Sequence, residues 1–191
     1  MTTEQDTSKD LLGRELAARF FRGEIEFEFT INGSGDSGSV VEALVSPSPF
    51  HVGTSTEAPS CSFVEELGVL AEDRHCDLFP GWEVDEGSNG SATLRGDAAA
   101  FAEGRLGVTA VSESAFGEDT LVAGSEDEGN AVYETEFGEP QRENWTLSEQ
   151  EILDSGIADA AAFARAQSMA ERMNSNASPS PAAASPARPR M

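Results

Sequence analysis

The sequence predicts an α+β fold: a small antiparallel sheet of four to five strands with helices packed on one face. Three observations predict it. An amphipathic helix runs directly into a strand of strict alternation, a second helix starts with a capping-box pattern, and a third helix with the same pattern precedes a tail rich in Pro, Ala and Ser. We therefore expect one domain over residues 10–173, between a flexible N-terminus (1–9) and a disordered tail (174–191).

Residues 10–22 form the first predicted helix, because Leu12, Leu16 and Phe20 recur at every fourth position. Gly23 ends it, and the segment EIEFEFTI follows as the clearest strand of the chain. The apolar face of this strand consists of Ile25, Phe27, Phe29 and Ile31, and its polar face carries Glu24, Glu26 and Glu28. Neighbouring carboxylates repel one another, so we expect solvent to cover the polar face.

The middle of the chain alternates loops with shorter elements. A glycine-rich loop at 32–38 leads into SVVEALV, a strand expected to lie antiparallel to the first. A proline-punctuated loop at 46–60 precedes a helix at 63–75, which Ser62 and Glu65 cap. SATLRGDA and residues 106–112 then form a hairpin around a turn at 97–105, a stretch whose alanines also suit a helical turn.

Acidic residues dominate positions 113–151, where a strand is expected at about 131–137. A helix over 149–173 follows, capped by Ser148 and Glu151 and weakened by Gly156. The helices at 10–22, 63–75 and 149–172 are expected to pack on the apolar face of the first strand.

The net charge of −23 in 191 residues excludes nucleic acid and anionic membranes as direct ligands and favours a basic protein partner. Composition leaves a second source of this acidity open, which is adaptation to a salt-rich cytoplasm. No apolar run approaches 18 residues and the N-terminus lacks signal-peptide features, so a cytoplasmic location with no membrane contact is expected. The oligomeric state is left open.

The letters G-D-S-G around Ser37 match the nucleophile motif of chymotrypsin-like proteases, but both histidines follow this serine in the chain. We therefore predict no catalytic residue. A metal site would have to use His51, Cys61, His75 and Cys76, and no C-x₂-C pair is present. We expect a partly buried cysteine, a surface or helix-end histidine, and no metal or other cofactor.

The segments FTINGSGDSGSV and PGWEVDEGSNGSATL together resemble an uncharacterised bacterial, plasmid and phage family. Its members pair a strand ending in a GxGDSGx loop with a later GGWExxxG loop and a strand pair. The first motif is carried by Gly33, Gly35, Asp36, Ser37, Gly38 and Val40, and the second by Gly81, Trp82, Glu83, Asp85, Gly87 and Gly90. The match covers about residues 12–115, although Pro80 stands where the family tends to have Gly. The resemblance implies a fold and a mobile-element or accessory setting, and no activity.

These observations predict a non-enzymatic interaction protein that engages a basic partner through its acidic surface. One alternative is a nucleic-acid mimic, because carboxylates on alternate strand residues lie about 6.6–7 Å apart, close to phosphate spacing. Another is a divalent-metal hydrolase that uses Asp36, Glu83 and Asp85, if the two glycine-rich loops meet. The candidate binding residues are Asp36, Ser37, Trp82, Glu83, Asp85, Glu24, Glu26 and Glu28.

Overall fold

The computed structural model of the chain describes residues 4–34, 37–47, 55–81, 88–124 and 130–176. They form an α+β fold, as predicted. The helices are α1 (Glu4–Phe21), α2 (Ser62–Leu78), α3 (Ala98–Ala102), α4 (Glu149–Leu153) and α5 (Ala158–Asn176). The strands are β1 (Glu26–Ser34), β2 (Ser37–Ser46), β3 (Thr56–Glu57), β4 (Ser88–Gly96), β5 (Val108–Ala123), β6 (Val132–Phe137) and β7 (Gln141–Leu147).

The strands form one antiparallel sheet in the order β3-β2-β1-β4-β5-β6, with β7 also paired to β5. The central strand is β1, which pairs with β2 on one side and with β4 on the other. The 16-residue strand β5 pairs with β7 along its first half and with β6 along its second half. The end of β5 and strand β6 therefore extend past the rest of the sheet.

The core lies between the sheet and the helices, and its largest side chains are phenylalanines. Phe20 of α1, Phe27 of β1 and Phe63 of α2 are buried and lie within 6.1 Å of one another, measured between ring centroids. Ile25, Phe27, Phe29 and Ile31 are all buried, so the alternating strand turns its apolar face to the helices as predicted. The opposite face of the sheet carries no helix among the described residues, and polar side chains occupy most of it.

The expected sheet of four to five strands is too small, because the described residues form a sheet of seven. The sequence prediction missed β3 and β7 and ended the return strand β5 too early. Strand β7 has the sequence QRENWTL, in which only Trp145 and Leu147 are buried. The first four residues are polar and exposed, so the sequence shows no alternating pattern over the whole strand. Strand pairing with β5 holds it in place, and this pairing joins residues far apart in the chain.

The helices also differ from their predicted bounds. Helix α2 extends to Leu78, and its N-cap is Cys61 without a side-chain hydrogen bond, so the predicted cap by Ser62 and Glu65 is wrong. Helix α1 begins at Glu4, before the expected start at residue 10. The predicted helix at 149–173 is divided into α4 and α5 around Gly156, and α5 continues to Asn176. A Cβ atom at Gly156 would overlap the carboxylate of Glu66 on α2, so this break lets the chain pass close to α2.

Candidate functional site

The two glycine-rich loops leave the sheet at the same end, on neighbouring strands. Gly33 near the end of β1 is the register partner of Ser88, the first residue of β4. Ser37 is the first residue of β2 and pairs with Ser34, so it flanks the first loop. The loop residues Asp36, Trp82, Glu83 and Asp85 lie outside the described residues. Whether these side chains form one site remains a prediction. It requires both loops to leave the sheet at the same end, and the flanking strands do so.

A layer of buried polar side chains lies on the helix-facing side of the sheet near this end. It comprises His75 of α2, Ser88 of β4, and Ser112 and Ser114 of β5. The indole Nε1 of Trp145 donates a hydrogen bond to Ser112 Oγ at 2.9 Å. Gly90 of β4 is the register partner of Ser114, so its backbone lies beside this layer.

His75 is completely buried, although the sequence predicted a surface or helix-end histidine. It does lie in the last turn of α2, but that turn faces the sheet. Its ring lies 4.8 Å from that of Phe79, and a Cβ atom on Gly90 would approach its Cε1 to 2.6 Å. Burial lowers the pKa of His75 from 6.5 to about 4, because an imidazolium would lose its hydration there.

The three glutamates of EIEFEFTI do not form the expected row. Glu24 lies before β1, in the turn after α1, where it pairs with Arg19 at 3.5 Å and with Arg22 at 3.9 Å. Glu26 and Glu28 do lie on the open face of the sheet. Glu26 is the register partner of Arg95, so an opposite charge stands beside it. The expectation of three evenly spaced carboxylates on one strand is therefore wrong.

A groove of about 800 Å³ runs between the outer edge of β2 and helix α2. Val40, Val41 and Ala43 line one wall, and Val64, Gly68 and Val69 line the other. Phe29 lies at the floor, where a Cβ on Gly68 would come within 3.3 Å of its ring. The glycine therefore lets α2 approach the sheet closely.

Four carboxylates line the same groove, and none of them forms an ion pair within the part of the chain that the structure describes. They are Glu42, Glu57, Glu65 and Glu72. Glu65 accepts a hydrogen bond from Ser60 Oγ at 2.9 Å, and Glu72 accepts one from the backbone N–H of Val40 at 3.3 Å. The groove thus combines apolar walls with negative charge.

The described arginines are engaged elsewhere. Ion pairs with glutamates outside the groove involve Arg19, Arg22, Arg74, Arg105, Arg142 and Arg165. The guanidinium of Arg14 lies over the ring of Phe163, and those of Arg95 and Arg172 donate to the carbonyls of Gly23 and Glu103. The negative charge of the groove is therefore not neutralised by these arginines.

The extended end of β5 and strand β6 form a second acidic feature, which we call the distal ribbon (117–123 and 132–137). Every side chain of this ribbon from Glu118 onward is exposed. Leu121 pairs with Tyr133 on one face, and Glu118 pairs with Glu136 on the other. Like charges directly opposite each other destabilise a strand pair, so a covering cation would stabilise this ribbon.

Cys61 is buried and Cys76 is exposed. Within the described ranges, no three His, Cys, Asp or Glu side chains are grouped so that they could hold one metal ion. None of the described helices combines the length and apolar character that crossing a bilayer requires.

Comparison with protein-family models, with curated proteins and with solved structures found no match for this chain. The resemblance to a phage and plasmid family therefore remains a prediction from its two motifs.

Proposed function

We propose that this protein is a non-enzymatic interaction protein that engages a basic partner through its acidic surface. The observation that carries the proposal is the groove between β2 and α2, whose four carboxylates have no arginine partner among the described residues. Apolar walls and unneutralised charge in one concave surface suit a protein ligand.

The charge of the whole chain supports the same function. A net charge of −23 produces a long-range field that accelerates encounter with a cationic partner and slows encounter with anionic ones. Such steering weakens as salt screens it, so the association rate of the complex should fall with ionic strength.

The proposal is tested by capture from a lysate of the source cells on the immobilised full chain at moderate salt. We expect basic proteins to be retained, and to be lost when Glu42, Glu57 and Glu65 are replaced by Gln. Replacement of Glu118, Glu134 and Glu136 of the distal ribbon by Gln removes the same charge and serves as the matched control. An unrelated protein of equal acidity from the same cells controls for simple ion exchange.

Three results would contradict the proposal: no basic protein is retained, the groove variant retains the same set as the unchanged protein, or the unrelated acidic protein captures that set equally well. The last result would assign the acidity to adaptation of the cells to salt. The mobile-element setting is a separate proposal, which rests on the motif resemblance and which the neighbouring genes would test.

A divalent-metal hydrolase is the second candidate function, favoured by the departure of both glycine-rich loops from one end of the sheet. Asp36, Glu83 and Asp85 would supply oxygen ligands of the kind that Ca²⁺, Mg²⁺ and Mn²⁺ prefer. Thermal unfolding with each ion tests it. Stabilisation by an ion that is abolished by both Asp36→Ala and Asp85→Ala would support this function. If none of the three ions stabilises the protein, this function is contradicted. For the nucleic-acid mimic, the spacing argument now rests on Glu26 and Glu28 alone, because Glu24 lies outside β1.

A further inference from the structure

We propose that the groove between β2 and α2 binds an extended basic segment of the partner, which adds to the outer edge of β2 as a further strand. This inference rests on the proposed function and specifies how the partner is held. It assigns the main contact to backbone hydrogen bonds and the selectivity to the four groove glutamates.

Among the described residues, the outer edge of β2 is only partly paired. Strand β3 pairs with Leu44 and Val45, and the N–H of Ala58 donates to the carbonyl of Ala43 at 2.8 Å. Between Ser37 and Glu42, no described strand lies along this edge. An open strand edge presents backbone donors and acceptors in the spacing that another strand requires.

Glu72 already occupies one position that an added strand would fill. Its carboxylate accepts a hydrogen bond from the backbone N–H of Val40 at 3.3 Å, across the groove. A carbonyl of an incoming strand can accept from the same N–H. The displaced carboxylate would then be available to a cationic side chain of the same segment.

The walls of the groove suit the side-chain alternation of a strand. Val41 on β2 is 57% exposed and Val69 on α2 is 51% exposed, and both line the groove. Alternate side chains of an added strand point to opposite sides, so one set can cover these valines while the other set meets the glutamates. A segment in which Arg or Lys alternates with Val, Ile or Thr has the required pattern.

Like charge disfavours a second copy of this chain as the occupant. Its own β2 edge carries Glu42 with Glu57 beside it, so edge-to-edge pairing of two copies would bring these carboxylates together. The chain's remaining bases are Lys9 near the N-terminus and Arg188 and Arg190 in the tail. Pro189 separates the two tail arginines, and proline lacks the N–H that an added strand must donate.

The test uses the full chain and two fluorescent peptides of equal charge. In the first, Arg alternates with Val over seven residues, and in the second, each Val is replaced by Pro. We expect saturable binding of the first peptide in fluorescence anisotropy. The second peptide should bind at least about tenfold more weakly, because it loses one or two backbone hydrogen bonds. Val69→Trp should weaken binding of the first peptide by a similar factor because the indole fills the groove. Met169→Trp, at an exposed apolar position on α5 outside the groove, should leave it unchanged.

Equal binding of the two peptides, or equal loss from Val69→Trp and Met169→Trp, would overturn the strand-addition mode. If both peptides still bind in a salt-dependent manner, only the strand-addition mode fails and the proposed function stands. If neither peptide binds, the proposed function fails together with the strand-addition mode. A variant truncated after Asn176 tests the tail as the occupant. Binding that appears only in this truncated variant would assign the groove to the tail and overturn the proposal.

Discussion

Acidification below pH 6.5 should destabilise the protein through His75. The imidazole is completely buried, and burial lowers its pKa from 6.5 to about 4. Between these two pH values the unfolded chain binds a proton at His75 while the folded protein does not. Proton binding therefore favours the unfolded state, and the loss of stability begins near pH 6.5 and is complete below pH 4.

The size of the effect follows from the two pKa values. They differ by about 2.5 pH units, and each unit corresponds to about 1.4 kcal/mol, so the complete loss is about 3 kcal/mol. Between pH 7 and pH 5 alone, the same linkage relation predicts a loss of about 2 kcal/mol. This is a large fraction of the stability of a typical domain.

Urea unfolding of the unchanged protein and of His75→Gln at pH 7 and pH 5 measures the effect. The amide does not titrate, so the difference between the two pH dependences isolates His75 from the many carboxylates and from His51. We expect the unchanged protein to lose about 2 kcal/mol more than the variant over this interval. Parallel pH dependences of the two proteins, or an NMR titration of the His75 ring with a midpoint near 6.5, would refute the reasoning.

Three substitutions test the packing around this region and the helix ends. Gly90→Ala should destabilise the protein in thermal unfolding by about 1–3 kcal/mol, because the added methyl would lie 2.6 Å from His75 Cε1. Gly138→Ala is the control in the same assay, since its Cβ would contact a carbonyl oxygen at 3.8 Å. Gly96→Ala should cost more than Gly90→Ala, since its Cβ would overlap the backbone of α1 rather than a side chain, and an equal or smaller loss would contradict this ranking. Ser148→Ala should lower the free energy of unfolding by about 1 kcal/mol, because the α4 capping box is lost. The same substitution should raise the pKa of the Glu151 carboxyl toward its ordinary value, and an unchanged pKa in an NMR titration would argue against the cap.

Local patterns predicted much of the secondary structure. The strict alternation of β1 identified both the strand and its buried face, because neighbouring positions of a strand point to opposite sides. The pairing of Ser148 with Glu151 located the start of α4, because a capping box involves residues only three positions apart. In contrast, the sequence marked Gly156 only as a weak point of one helix over 149–173, and it did not show that the chain breaks there to pass α2 near Glu66.

The candidate site was less predictable. Two adjacent valines in SVVEALV interrupt the alternation of β2, and the structure has an irregular register there, between Thr30 and Ile31 of β1. The two adjacent valines were therefore the sequence signal that the edge of β2 is irregular. Nothing in the local sequence indicated that α2 would lie along this edge and complete the groove, because the approach depends on Gly68 contacting Phe29 from another element.

The sequence by itself determined the acidity, the α+β composition and the apolar face of β1, since each depends on residue type or on spacing within one element. Only the tertiary structure decided the seven-stranded order, the pairing of Glu24 with Arg19, the burial of His75 and the groove between β2 and α2. Each of these requires a contact between different elements. Such contacts depend on which surfaces exclude water together, and the period of a single helix or strand does not encode that choice.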